Sequence, residues 1–452
     1  MKVIFITIAA SLLVMTCISC EEYLSAKPDK KMAEPSTIED CEALLDNTAD
    51  MNMGFPAAGE PASDNYYLTS GNWESLTTQE DRLNYHWDPG QTVLLNQWQL
   101  PYKTVMQANQ VLEVLDKLDS ASDPDRYNRV RGSAMFFRAY AFFSLSQLFA
   151  PQYQPENADR VPGIPIRLKS DIGYSAGRGT VRQTFERILT DFEQASALLP
   201  EQATVKTRPS KAAAYAALAR THLCMQNYEE AARFASAALQ IQGDLLDYND
   251  LSLTAGIPFA RFHDEIIFHA GTSSNSALNP AKAYVDSTLY AQYHAHDLRK
   301  AIFFKINPDG SRSFKGRYDA QNNASSFAGL AADELWLIRA ECYIRTGRIQ
   351  EGLADLNHLL ENRWEVGYFT PFTTTDAGEA LSHVLNERRK ELLYRNLRWS
   401  DLRRLNLEPE FAKTIVRVLN GIRYELPPND LRYTLLIPQE VVLNSTLTQN
   451  PR

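Results

Sequence analysis

Residues 209–239, PSKAAAYAALARTHLCMQNYEEAARFASAAL, decide the fold. Small and apolar residues recur at helical spacing along the first half and again along the second half, at Ala212, Ala216, Ala219, Leu223, Ala231, Ala235 and Ala238. Gln226-Asn227 form the turn between the halves. This spacing predicts two antiparallel helices, and the small side chains predict that their backbones approach closely.

The pair resembles a tetratricopeptide unit, and a second, looser copy begins near Asp333. Trp336, Ala340 and Tyr343 precede a turn at residues 346–347, and Gly352 stands where the first copy has Ala231. Because many residues separate the two copies, we predict a mainly α protein. Its architecture is an α/α superhelix of tetratricopeptide-like pairs, interrupted by long irregular insertions.

Further helices are predicted from Trp98 onward, including one opened by Thr180 as N-cap with Gln183 completing a capping box. Residues 51–97, 240–323 and 363–376 break the helical pattern. These three stretches mix turn residues with Tyr, Trp and Phe, which argues against disorder and favours a functional role.

The composition excludes several classes of function. The 452 residues carry a net charge of −9 without a basic run, so nucleic acid is a poor partner. Cys41, Cys224 and Cys342 are scattered, with neither a disulfide framework nor metal-ligand spacing. No cofactor or metal is expected.

A short apolar leader ends at Cys20. Lys2 followed by apolar residues predicts a secretory signal over residues 1–19, and Ser19-Cys20 predicts a lipoprotein cleavage site with Cys20 acylated. Cys17 stands where such signals usually carry Leu, and it is the alternative acceptor. Two or more acyl chains would anchor the protein stably to a membrane.

Several motifs follow the leader in a fixed order. They are RGSAMFFRAY at 131–140, ADE at 332–334 with IRAECY at 338–343, NERRKEL at 386–392, RWSDLRR at 398–404, LIPQE at 436–440, Asn444 and QNP at 449–451. Together they resemble the SusD/RagB family of outer-membrane nutrient-binding lipoproteins over nearly the whole mature chain.

The resemblance implies a non-catalytic protein on the outer face of the outer membrane. Such a protein captures an oligosaccharide or another large nutrient for a SusC-like TonB-dependent transporter. Glu21-Glu22 after Cys20 are similar to the acidic tether associated with surface export. We expect an N-terminal region at 20–240 and a C-terminal region at 241–452 that form one compact unit.

Two sets of residues offer alternative chemistry. Glu387 and Glu391 lie four apart on one predicted helix, as a glycosidase pair would, but the neighbouring cations favour an ion-paired structural network. His294, His296 and Asp297 could bind a metal, whereas Asp297-x-Arg299 resembles a structural pair of the family. We therefore predict no catalytic residue and no metal.

A glycan site requires flat aromatic faces together with polar groups that match hydroxyls. The two longer insertions supply both kinds, although the family holds these residues in no motif. The candidate ligand-binding residues are Asp64, Tyr66, Tyr67, Asn72, Trp73, Arg82, Trp87, Tyr284, Tyr290 and Arg317, with Trp73 the preferred platform. Tyr85 and Trp87 alternate in a run that is typical of extended chain.

Two other functions stay open. A surface glycoside hydrolase would use carboxylates from the long loops, and a helical-repeat scaffold would bind only protein. The sequence does not name the nutrient.

Overall fold

A computed structural model describes residues 35–90, 93–321 and 324–452. The predicted lipidation site Cys20 and the alternative Cys17 lie outside these residues. Within the described part of the chain, no helix combines the length and the apolar character needed to cross a membrane.

Helices dominate the described residues. The helices are α1 Ile38–Leu45, α2 Thr48–Met51, α3 Gly59–Ala62, α4 Ser70–Glu74, α5 Gln79–Tyr85, α6 Asn96–Leu115, α7 Pro124–Phe149, α8 Val181–Leu198, α9 Lys211–Cys224, α10 Tyr228–Ile241, α11 Ser287–Ala291, α12 Arg299–Phe303, α13 Ala332–Arg345, α14 Ile349–Glu361, α15 Ala377–Glu391, α16 Arg398–Leu405 and α17 Gln439–Leu443.

The strands are short and pair only in twos, always antiparallel. They are β1 Tyr66–Tyr67, β2 Pro162–Pro165, β3 Arg178–Thr180, β4 Ile266–Phe268, β5 Tyr284–Val285, β6 Phe304–Ile306, β7 Arg312–Phe314, β8 Leu330–Ala331, β9 Ile415–Leu419 and β10 Ile422–Leu426. β1 pairs with β5, β2 with β3, β4 with β8, β6 with β7 and β9 with β10. The mainly α prediction is confirmed.

The long helices form a row in which each packs on the next. α6 packs on α7, α7 on α8, α8 on α9 and α9 on α10, and α13 then packs on α10 and carries α14 and α15. Both predicted tetratricopeptide-like pairs are present, as α9 with α10 and α13 with α14. The superhelical prediction is therefore confirmed, and we call this row the helical scaffold.

Close approach explains the small residues of both pairs. Ala216, Ala219, Ala231 and Ala235 are fully buried. At Gly352, an added Cβ would lie 2.7 Å from the Ala340 carbonyl oxygen, so the helices of the second pair leave no room for a side chain there. The glycine that loosens the sequence match is therefore required by the packing.

The predicted capping box at Thr180 is also present. The Thr180 hydroxyl accepts from the Gln183 backbone N–H, and the Gln183 side chain accepts from the Thr180 N–H. These bonds satisfy donors that the first turn of α8 would otherwise leave without partners.

The two long insertions, residues 51–97 (the first insertion) and 240–323 (the second insertion), share a hydrophobic core of their own. Side chains from residues 66–85 pack with side chains from residues 248–327, and Leu393, Tyr394 and Leu419 complete the cluster. Residues 51–97 are more helical than the sequence predicts, because they contain α3, α4 and α5. Each insertion thus buries part of its apolar surface against the other, while residues such as Met51, Phe55 and Phe268 belong to the main core. We call the two insertions together the insertion layer.

Candidate functional site

The insertion layer brings two predicted site residues together on the surface. β1 of the first insertion pairs with β5 of the second, with Tyr67 opposite Tyr284. Their ring centroids lie 5.6 Å apart, and Tyr67 is 41% exposed while Tyr284 is half-buried. The pair is a surface patch of two aromatic rings, built from segments more than 200 residues apart in the sequence.

Strand geometry explains why Tyr67 and not Tyr66 is exposed, since successive side chains of a strand point to opposite faces. Tyr66 points inward and its hydroxyl donates to the Pro61 carbonyl at 2.9 Å. Burial raises the pKa of Tyr66 well above its usual value, so the phenol stays neutral. The backbone N–H of Asp286 donates to the Asn65 carbonyl at 3.0 Å and extends the pairing.

Trp73 lies on α4 and is half-buried. Its indole N–H donates to the Arg82 carbonyl at 3.0 Å, and its ring meets the edge of His86 at 5.7 Å. Asn72, beside it, donates to the Lys282 carbonyl at 2.8 Å and so ties α4 to the strand that carries Tyr284. Trp73 therefore combines partial exposure with a packing role.

Arg82 also has a structural bond, because its guanidinium donates to the Leu76 carbonyl at 2.6 Å. Tyr290 is half-buried and lies edge-on to Phe304 at 5.3 Å. Arg317 lines a cavity, and burial lowers the pKa of its guanidinium.

That cavity lies between the two insertions and has a volume of about 460 Å³. Three aromatic residues line it, Phe314, Phe327 and Tyr394. Its polar lining includes Asn275, Ser276, Asn279, Thr78, Asp81, Arg317 and Asp319. The mixture of aromatic and amide or hydroxyl groups suits a ligand that presents both C–H faces and hydroxyls.

Two carboxylates of the cavity are held in place by hydrogen bonds. Asp81 accepts from the Ser276 hydroxyl at 2.5 Å, and Asp319 faces the ring nitrogen Nε2 of His269 at 3.1 Å. Burial alone would raise the pKa of Asp319, but hydrogen bonds from His269 and Gln321 lower it below the usual value. Both groups are thus positioned as hydrogen-bond acceptors.

Three predicted ligand residues lie inside the protein instead. Asp64 is 8% exposed, Tyr66 4% and Trp87 3%. Asp64 accepts from Arg398 at 2.7 Å and from Lys413 at 2.8 Å. Burial acts to raise its pKa, and the cations overcome that effect and hold it well below the usual value.

Trp87 is buried because the chain around it is not extended. α5 ends at Tyr85, Trp87 follows with a φ of 57°, and its indole N–H donates to the Ala62 carbonyl. The interpretation of Tyr85 and Trp87 as an extended run is wrong. The proposed ligand surface therefore does not include the buried residues Asp64, Tyr66 and Trp87.

The strongest sequence motif forms a buried ion network, as predicted. Arg299 donates to Asp297 at 2.7 Å, to Glu387 at 2.7 Å and to Glu391 at 2.9 Å, and Lys390 donates to Glu387 at 2.7 Å. Burial opposes ionisation of Glu387, but Arg299 and Lys390 lower its pKa. An ionised, fully paired carboxylate cannot serve as the general acid of a glycosidase.

The residues proposed as alternative metal ligands have other partners. His294 stacks on Trp364 at 4.9 Å, His296 pairs with Glu365 at 2.7 Å, and Asp297 belongs to the Arg299 network. Among the residues described by the structure, no group of three His, Cys, Asp or Glu side chains is arranged to hold a metal ion.

Sequence reasoning missed several residues of the cavity, among them Asn275, Ser276, Phe314 and Tyr394. The polar, turn-rich run TSSNSALN at residues 272–279 is a local signal for the first two. Phe314 and Tyr394 give no such signal, since their ring contact at 4.5 Å depends on the tertiary fold.

Comparison with known proteins places these features in a family. A family model described as "Starch-binding associating with outer membrane" matches residues 22–223, and one described as "SusD family" matches residues 332–452. The SusD-like protein P2 of Formosa agariphila is 24% identical over 418 residues, which is 78% of this chain and 79% of that protein.

Solved structures share the fold. A crystal structure titled as a putative sugar binding protein from Bacteroides vulgatus superposes with a TM-score of 0.75 at 19% identity, covering 93% of this chain and 99% of that one. A SusD-like carbohydrate binding protein from the same organism has a TM-score of 0.69 at 16% identity, with 91% and 97% covered. With both ends of the sequence matched and the fold shared along nearly its whole length, the chain belongs to the SusD family.

Proposed function

We propose that this protein is a lipid-anchored glycan-binding protein on the outer face of the outer membrane, and that it delivers its glycan to a SusC-like TonB-dependent transporter. Support comes from the family description, which joins starch binding to association with the outer membrane. Two structural neighbours, a sugar binding protein and a SusD-like carbohydrate binding protein by name, point the same way. One hydrophobic core that draws on residues 41 to 437 supports residues 20–240 and 241–452 acting as one unit.

The observation that carries the proposal is the Tyr67–Tyr284 pair at the junction of the two insertions. A sugar ring presents C–H groups on its flat faces, and these pack favourably on exposed aromatic rings. The adjoining strands and the cavity between the insertions add amides, hydroxyls and carboxylates that match sugar hydroxyls. The pair is held by backbone pairing, so little ordering is required when a ligand binds.

The pairing and burial of the carboxylates support a protein that binds a glycan without cleaving it. Glu387 and Glu391 are paired with cations in the buried network. Glu60 and Glu265 have pKa values raised to about 7, chiefly by burial, but both are almost fully buried and so are closed to a polysaccharide. Release of reducing ends from a polysaccharide panel by purified protein would favour the glycoside hydrolase instead.

Affinity gel electrophoresis tests the binding function. We expect at least one polysaccharide in a panel that includes starch and fructan to retard the protein, and we expect Tyr67→Ala and Tyr284→Ala to weaken that retardation about fivefold. Tyr368→Ala is the matched control, because Tyr368 is 52% exposed outside the proposed site. A panel without any retarding glycan, or equal loss in the control, would contradict the proposal.

Cell fractionation tests the anchor. Cys20→Ala should release the protein from the outer membrane, whereas Cys17→Ala should leave it bound and acylated. Affinity purification from cells should then recover a TonB-dependent transporter with the wild-type protein. Recovery of the transporter by a protein that binds no glycan would favour the helical-repeat scaffold.

A further inference from the structure

One segment of the second insertion is rich in positive charge, in a protein whose net charge is −9. Residues 300–317 contain five cations and a single carboxylate, and these are Lys300, Lys305, Arg312, Lys315, Arg317 and Asp309. The excess is local, since this acidic chain shows no such segment elsewhere in the insertion layer. It lies along α12, β6 and β7, next to the strand that carries Tyr284.

Two of these cations are held on one aromatic ring. The Lys300 ammonium lies 5.0 Å from the centroid of the Tyr290 ring, and the Arg312 guanidinium carbon lies 4.7 Å from it. The hydrogen bonds of both cations go to backbone carbonyls, Lys300 to Tyr293 and Arg312 to Gly310 and Ser311. The described residues supply neither of them with a carboxylate partner.

This arrangement differs from the other half-buried cations of the site. Arg389 and Arg398 each form an ion pair with Asp64. At Tyr290 the ring attracts both cations through its face, but two like charges beside one ring repel each other until an anion approaches. The Nε donor of Arg312 is buried and has no acceptor among the described residues.

The cations adjoin the aromatic pair of the proposed glycan site. β7, which carries Arg312, packs against β5, which carries Tyr284. Lys282 precedes Tyr284 by two residues and donates to the Ser75 carbonyl at 2.6 Å, again without a carboxylate partner among the described residues. Lys282 thus adds a third cation close in sequence to Tyr284.

Two carboxylates lie in the same region, but each has local partners. Asp286 accepts from the Leu289 N–H and lies 3.7 Å from Arg389, and Asp309 accepts from Ser311 in the β6–β7 turn. Burial, Asp309 and Asp286 raise the pKa of Tyr67, so the side of the pair that favours an anion is the one at Tyr290, where Lys300 and Arg312 meet the ring.

We infer that the glycan of this site is an acidic polysaccharide, one that carries carboxylate or sulfate groups along its chain. The inference rests on the proposed function, because it assigns a ligand class to the same aromatic pair. The rings would hold the sugar faces, and Lys282, Lys300 and Arg312 would bind the anionic substituents.

Matched polysaccharides that differ only in charge test the inference. Affinity gel electrophoresis of the full mature protein would compare polygalacturonate with its methyl ester, and a sulfated galactan with its chemically desulfated product. We expect the charged member of at least one pair to retard the protein and its neutral partner to fail. The pair that responds distinguishes carboxylate from sulfate.

Salt and substitutions then test the role of the cations. Because the Debye length shrinks from about 8 Å at 0.15 M salt to about 3 Å at 1 M, we expect retardation by the charged glycan to fall with added salt. The double variant Lys300→Gln/Arg312→Gln should bind about fivefold more weakly. Lys117→Gln/Arg160→Gln is the control, since it removes the same charges from exposed positions outside the insertion layer.

Each outcome decides the inference. Equal retardation by a charged polysaccharide and its neutral partner, or by the double variant and its control, would overturn it while leaving glycan binding in place. Failure of every polysaccharide would overturn the proposed function as well. Should the double variant lose its folded circular dichroism spectrum, the charged and neutral polysaccharide pairs and the salt titration of the wild type still decide the question.

Discussion

The helical scaffold and the insertion layer are ordered by different kinds of interaction. In the scaffold, most neighbouring helices are consecutive in the sequence, and α9 and α10 pack through alanine-rich faces. In the insertion layer, short elements gain order from partners far away in sequence, as when Tyr67 pairs with Tyr284. Local patterns therefore specify the scaffold, whereas the ligand surface depends on long-range contacts that a local pattern does not contain.

Buried charges join the two regions. Arg299 belongs to the second insertion, is fully buried, and bonds Glu387 and Glu391 on scaffold helix α15. We expect Arg299→Met to lower the free energy of unfolding by about 3–5 kcal/mol, because the buried carboxylates of Asp297, Glu387 and Glu391 each lose one of their cations. Chemical denaturation followed by circular dichroism would measure the loss.

Arg208→Met provides the matched control for this substitution. Arg208 pairs with Asp46 at the surface, where both side chains are about two-fifths exposed, so we expect a loss below about 1 kcal/mol. Similar losses in the two variants would mean that the buried network does not join the insertions to the scaffold.

A second test uses pH and Glu60, at the base of the first insertion. Glu60 is 1% exposed, its Oε1 accepts from Asn65 at 3.3 Å, and its Oε2 has no partner among the described residues. Burial raises the pKa of Glu60 to about 7, although the hydrogen bond from Asn65 and the charge of Arg398 both act to lower it. The unfolded chain loses this proton near pH 4.5, so the Glu60 contribution to stability falls as pH rises from 4.5 to 7.

Glu60→Gln should remove this pH dependence. We expect the difference in free energy of unfolding between the variant and the wild type to grow by about 2–3 kcal/mol, in favour of the variant, as pH rises from 5 to 8. Urea denaturation at each pH would measure it. Glu361→Gln, at an exposed position, should show no such gain. A constant difference between Glu60→Gln and the wild type across this range would contradict the assignment.

A third test compares glycines in the two regions. In the scaffold, Gly352→Ala forces a Cβ to within 2.7 Å of a carbonyl oxygen of α13, and we expect it to cost about 1–2 kcal/mol after the gain in helix propensity. Gly71 of α4 has open space where its Cβ would lie, so Gly71→Ala should be neutral or slightly stabilising. Thermal denaturation of both variants would measure the contrast, and equal effects would refute close packing at Gly352.

The same contrast explains which features of the structure could be predicted from the sequence. Thr180 and Gln183 predict their capping box from four consecutive residues, and the structure has it. Asp64, by contrast, is predicted as a ligand group because its local sequence is polar, yet Arg398 and Lys413, more than 330 residues away, bury and neutralise it. The error at Trp87 was avoidable from local sequence. Thr78 is an N-cap residue, and it predicts the helix α5 that ends at Tyr85 in place of an extended run.

The smallest effect we predict concerns Trp73, which belongs to both kinds of interaction. Part of its ring is buried against His86 and its indole N–H donates to Arg82, while its partial exposure leaves a face for a sugar. We expect Trp73→Ala to weaken binding of the retarding glycan about threefold, less than Tyr67→Ala. Trp73→Phe should keep most of the affinity and lose about 1 kcal/mol of stability with the hydrogen bond. Isothermal titration of both variants separates the roles, since unchanged affinity in Trp73→Ala would assign the residue to packing alone and leave Tyr67 and Tyr284 as the aromatic surface.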